Sequence, residues 1–362
     1  MKTLWGLLAF VFLFSIFTAC NTSPDRLSKY QPSLPDQEAK VEIFRFEQDL
    51  MALPKDSTKI KEGIDKLKEK YPDFAALYFG QIMGMPDNRP DFAPRLLSFL
   101  HFKESELLYD SIQLAYPNLD KVQADLEQAA AHYLYYFGGK RHPFEKVYTY
   151  FSFYNYGTFT LENYSGLGLD FFLGPNHIGY LAHPNLKNAY MRRTLTAEHI
   201  PAKMAYALAD QLVEQQAKRE SSRLIDEMIF NGKKFFLVGA LLPKVTDSLI
   251  FNFSAYQIEF CEKGEQSLWE YLGEQDLLYS SDATKYRKYV TVGPFKPELD
   301  LPGNSGSWLG VQILRQYAQR RRLELKNNRP DSSPQEIDQV IIQEILDESN
   351  PEHFMKRYKP RK

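Results

Sequence analysis

Residues 166–184, GLGLDFFLGPNHIGYLAHP, bring a carboxylate and two imidazoles into one short stretch. Asp170, His177 and His183 are the donor types that bind zinc. His177 and His183 stand six positions apart across a segment holding Gly and Pro, so no regular helix or strand aligns them, and Asp170 can join them only through tertiary folding. The glycines carry a different message. Gly166 and Gly168 permit close backbone approach within a strand, and Gly174 followed by Pro175 suits a tight turn. No P-loop lysine follows Gly174, which leaves little case for a phosphate cradle there.

A catalytic zinc on a helix is usually held by H-E-x-x-H, which sets two imidazoles one turn apart with a glutamate to activate water. The chain has no such motif. Glu198-His199 is half of the inverted H-x-x-E-H, but Leu195 occupies the first ligand position and Lys203 stands four residues after His199. A helix start, capped by Thr196 with Glu198 in its first turn, accounts for the same residues. The loop Leu301-Pro302-Gly303-Asn304-Ser305-Gly306-Ser307-Trp308 offers Ser305 in a near G-x-S-x-G setting, yet Ser307 replaces the final glycine. Helix capping by Ser305 or Ser307 is the simpler expectation.

The elements that must position these groups follow from periodicity. Val41 to Phe46 alternates as a strand does, and helical spacing occupies about 57–70, 74–83, 93–115 and 119–137. Between Lys146 and Leu173, short β-branched and aromatic runs punctuated by Gly and Asn predict a small antiparallel meander in which 168–174 is a strand. Helical spacing returns at about 187–193, 200–218, 222–230, 265–278, 307–325 and 335–347. The fold class is therefore α+β, mostly helical, with residues 39–362 as one domain because no later linker or repeat divides them. A net charge of −2 gives no electrostatic argument for nucleic acid, and no motif implies a cofactor or a metal. The run Arg320-Arg321-Arg322 reads as a solvated helix C-terminus.

The N-terminus sets the compartment. Lys2, an apolar run and Phe17-Thr18-Ala19-Cys20 read as a lipoprotein export signal over 1–19 ending in a lipobox, with Cys20 as the acylated residue. Several acyl chains make such anchoring stable where one chain would not. Residues 20–38 then serve as lipidated cysteine and polar, proline-containing tether. With Cys20 lipidated, Cys261 has no disulfide partner, and stability rests on a hydrophobic core.

Several blocks together resemble the gliding motility lipoprotein family GldB of Bacteroidota: the lipobox, YTYFSFYN at 148–155, GLDFFLG at 168–174, MIFNGK at 228–233, LLP at 241–243, GSWLGVQIL at 306–314 and YKP at 358–360. The resemblance covers almost all of the mature chain, with Phe230 where Tyr or His is more usual. It implies an outer-membrane lipoprotein needed for gliding, a process tied to the type IX secretion machinery, whose partners are gliding or secretion proteins. Asn21-Thr22-Ser23-Pro24 lacks an early acidic cluster, in keeping with the inward, periplasmic face. A second resemblance, to predicted zinc-dependent proteases, implies a degenerate zinc-protease-like scaffold in which Asn231 replaces a ligating glutamate. On that view Gly168, Asp170, Gly174, His177, His183, Glu198, His199, Asn231 and Trp308 border a cleft without catalytic or metal-binding work. The expectation is a non-enzymatic interaction protein; the alternative is a zinc-dependent, peptidase-like hydrolase using His177, His183, Glu198 and His199.

Overall fold

The alternating segment near the start folds as β1 (Glu42–Phe44), and the aromatic middle supplies β2 (Lys146–Tyr150), β3 (Thr158–Thr160) and β4 (Ser165–Gly168). This computed structural model describes residues 32, 34, 39–216, 222–293 and 301–362; the export signal, Cys20 and nearly all of the tether lie outside them. The sheet order is β1-β2-β4-β3. β1 and β4 both run parallel to β2, and only β3–β4 is antiparallel, so the expected antiparallel meander is corrected to a mixed sheet. Parallel strands need a long crossover. The helices between residues 46 and 137 provide it for β1–β2. β4 is buried along its whole length, which suits an inner strand, and it separates β3 from β2.

The glycines of β4 are steric necessities. A Cβ on Gly166 would stand 2.1 Å from the Phe159 ring, and one on Gly168 would stand 2.3 Å from the Tyr156 carbonyl oxygen. The strand ends at Gly168. Residues Leu169–Phe172 form a 3-10 turn rather than the predicted continuation of the strand, and this turn carries Asp170 inward. Phe46, Phe74, Tyr78, Tyr148 and Tyr150 pack beneath the sheet, with Phe74 stacked on Tyr148 at 4.8 Å.

Helices fill the rest. Leu224–Leu241 is buried on nearly every side and packs on Ser305–Asn328, Ile200–Gln216 and Asp120–Phe137, and the charges it buries are paired, Asp226 with Arg223 and Lys234 with Asp210 and Glu214. It is twice the length that the sequence pattern indicated. Its crossing with Ser305–Asn328 depends on Gly310, whose added Cβ would lie 2.0 Å from the Met228 carbonyl oxygen, and on Gly232 opposite. Trp308 is a core residue at this crossing. The span 93–115 is two helices, Phe92–His101 and Lys103–Ala115, broken by the extended backbone of Phe102. Ala255–Lys263 carried no clear periodicity and is an additional helix, capped by Ser254.

Two further expectations are corrected. Ser305 and Ser307 do not cap their helix: Asn304 holds the cap position in a left-handed conformation, and both serine hydroxyls are buried without partners among the described residues. The Arg320–Arg322 run is not simply a solvated terminus, because Arg321 pairs with Glu344 and Arg322 with buried Asp338. Cys261 is free and buried. No helix among the described residues is long and apolar enough to cross a membrane.

Candidate functional site

Asp170 is fully buried, and the chain after β2 is wrapped around its carboxylate. Phe153 and Tyr154 both adopt left-handed backbone (φ 53° and 63°), which is costly for bulky residues. The turn aims the backbone N–H groups of Ser152 and Tyr154 at Asp170 Oδ2, at 3.0 and 2.7 Å. Asp170 Oδ1 accepts no hydrogen bond among the described residues. Burial pushes the Asp170 pKa up to about 7, against the opposing pull of the Tyr154 and Ser152 amides.

Five carboxylates are buried among the described residues: Glu47, Asp170, Asp226, Glu265 and Asp338. Four of them pair with an arginine, respectively Arg45, Arg223, Arg361 and Arg322. Asp170 alone of the five has no cation. Its surroundings are tyrosines: Tyr78 donates to the Phe151 carbonyl, and Tyr180 donates to the Asp170 carbonyl at 2.6 Å while accepting from the Leu173 amide.

Tyr154 is where the predicted residues converge. Its hydroxyl bonds His177 Nε2 at 2.7 Å, and its ring lies 5.7 Å from that of His177 and 6.1 Å from that of His183. Tertiary folding thus gathers Asp170, His177 and His183 around one tyrosine, two through its side chain and one through its backbone. The carboxylate itself faces amides, not imidazoles. Burial lowers the His177 pKa. Among the described residues no three His, Cys, Asp or Glu side chains are grouped as metal ligands.

Residues 174–195 close back on themselves, the Gly174 amide donating to the Leu195 carbonyl at 2.9 Å. Gly174 has φ 96°, which requires glycine. Tyr180, Leu186 and Leu195 form a small core of their own beneath this segment. The short helix Ile178–Ala182 leaves Ile178 79 % and Leu181 52 % exposed, so the segment offers solvent two apolar side chains that the fold does not use.

The other candidates lie beyond Leu195. Glu198 is exposed, whereas His199 is turned inward with its Nδ1 on the Thr196 hydroxyl at 2.8 Å. Thr196 therefore engages the imidazole rather than capping the helix through its side chain. The Asn231 helix packs directly on Ile200–Gln216. Lys234, one turn after Asn231, pairs with Asp210 and Glu214, and Asp210 is already about 16 Å along its helix from the level of His199. His199 and Asn231 therefore sit at different levels of the helix pair. Sequence reasoning missed Ser152, Tyr154, Tyr180 and Arg193. Only the density of tyrosines around residues 148–156 hinted at them, because left-handed backbone at Phe153 and Tyr154 leaves no compositional mark.

A family model described as Gliding motility protein GldB matches residues 27–360, and the chain belongs to that family. Comparisons with curated proteins and with solved structures returned no match.

Proposed function

We propose that this GldB family member is a non-enzymatic interaction component of the gliding apparatus. Acyl chains on Cys20 hold it at the periplasmic face of the outer membrane, where it works with the type IX secretion machinery. The observation that carries the reading is how the reactive side chains are employed. Asp170 grips a strained loop, His177 holds the Tyr154 hydroxyl, and His199 holds Thr196, each inside the fold. What the same region shows to solvent is apolar, at Ile178 and Leu181, a surface suited to a protein partner.

The test is crosslinking and co-purification of the tagged lipoprotein from its own membrane. Ile178→Asp with Leu181→Asp should leave the fold intact and remove a specific secretion or gliding partner. Retention of every partner by a folded double variant would overturn the assignment of that surface. Cys20→Ala should release the protein from washed membranes, since the anchor rather than the domain surface provides membrane residence. Near-stoichiometric zinc in the purified protein, together with peptide hydrolysis, would overturn the non-enzymatic reading.

A further inference from the structure

At the far end of the 174–195 segment, basic groups gather without an acid among the described residues. The Arg193 guanidinium is fixed by Nη2, which donates to the Asn252 carbonyl at 2.6 Å and to Gln257 Oε1 at 2.7 Å. Its Nε is shielded from solvent and finds no acceptor among the described residues. Asn252, in left-handed backbone at φ 57°, has a buried Oδ1 that also lacks a partner. Two orphaned polar atoms on residues already joined by a hydrogen bond are unusual in an interior where most such atoms are paired.

Lys203 lies one helical turn beyond His199 and thus on the same side of the chain. Its ammonium makes no hydrogen bond or ion pair among the described residues. The helix Asp247–Phe251, which ends at Asn252, packs on both Ala197–His199 and Ile200–Gln216, bringing Asn252 and its partner Arg193 to the side of the fold that carries His199 and Lys203. Glu198, the closest acid in sequence, is exposed and pairs with none of them. Burial pushes Lys203 down to about 8 and His199 to about 4, and it lowers Arg193. Partly buried cations left without a counter-charge are unfavourable, and a bound anion relieves that cost.

We propose that Arg193, Lys203 and Asn252, with His199 beside them, form a binding site for a phosphate group, carried either by free phosphate or by a phosphate-monoester lipid headgroup. The charge count selects the class: two uncompensated cations match a dianion, whereas a carboxylate would leave one unbalanced. Arg193 Nε beside a fixed guanidinium edge offers the directional donor that tetrahedral oxyanions accept. The Asn252 amide serves in either orientation, accepting from a protonated phosphate oxygen or, flipped, donating to a bare one.

The test uses the full-length lipoprotein in neutral detergent, titrated calorimetrically with inorganic phosphate against sodium chloride at matched ionic strength. A second arm uses monomeric dihexanoyl phosphatidic acid against dihexanoyl phosphatidylcholine. Saturable binding of phosphate or phosphatidic acid, weakened at least tenfold in Lys203→Met and in Arg193→Gln but unchanged in the surface control Lys326→Met, is the expected result. Tighter binding of phosphatidic acid identifies a headgroup as the source, and binding of phosphate alone identifies the free ion. Thermal melts of each variant separate misfolding from lost binding, with Lys203→Met decisive if Arg193→Gln does not fold. The proposal is overturned if neither probe saturates, if chloride or phosphatidylcholine reproduces the signal, or if folded Lys203→Met binds like the control.

Discussion

Residues 171–192 join two sites of opposite imbalance: an acid without a base at Asp170, and bases without an acid at Arg193, His199 and Lys203. Elsewhere in the described interior, buried carboxylates are matched with arginines. The two ends answer the same problem differently. Asp170 can shed its charge by taking up a proton, and its pKa of about 7 places that exchange near neutrality. Arg193 has no such escape, since a guanidinium keeps its proton in proteins. An unpaired acid can therefore be a purely structural device, whereas an arginine without an acid keeps its charge and favours a nearby anion.

The largest effect should come from Asp170→Ala, which strips two buried amides of their acceptor. We expect a loss of about 2–5 kcal/mol in denaturant unfolding. A loss below about 1 kcal/mol would show that the 152–154 loop holds its left-handed backbone without the carboxylate. Gly168→Ala attacks the same loop from the strand, driving a Cβ into the Tyr156 carbonyl, and should cost about 1–3 kcal/mol in the same measurement.

The pH dependence of stability separates the two ends by sign. The folded-state pKa of Asp170 is raised, so between about pH 4 and 7 the folded state binds more protons than the unfolded chain, and stability falls as pH rises. The folded-state pKa of His199 is depressed to about 4, so between about pH 4 and 6.5 the unfolded chain binds more protons and stability rises with pH. Asp170→Asn should therefore make the dependence on pH more positive across that window, and His199→Gln more negative. Urea midpoints at pH 4.5, 5.5 and 6.5 check both, and parallel curves for wild type and variants would break the comparison. The smallest effect is expected from Lys203→Met. Removing an unpaired, partly buried ammonium should stabilise the phosphate-free protein by about 1 kcal/mol or less. Destabilisation instead would show that Lys203 has a partner in the folded state.

Most of the helices were legible in the chain because apolar spacing at 3.6 residues survives any tertiary arrangement. The Ile200 helix and the paired helices at 305–328 and 334–347 are found close to where the pattern places them. Gly166 and Gly168 were legible as places of close approach, though 168–174 was not legible as the end of a strand followed by a 3-10 turn. Strand order was not legible: four strands of three to five residues carry no signal that distinguishes a neighbour in sequence from a neighbour in space.

By itself, the sequence determined a mostly helical α+β chain with a small sheet and membership of the GldB family. Tertiary structure alone decided that, among the described residues, Asp170 stands without a cation and Arg193 and Lys203 stand without an anion. The reason is physical: helix periodicity and glycine sterics are local, whereas a counter-charge is supplied by whichever distant residue the fold brings within a few ångströms, as Arg361 is for Glu265.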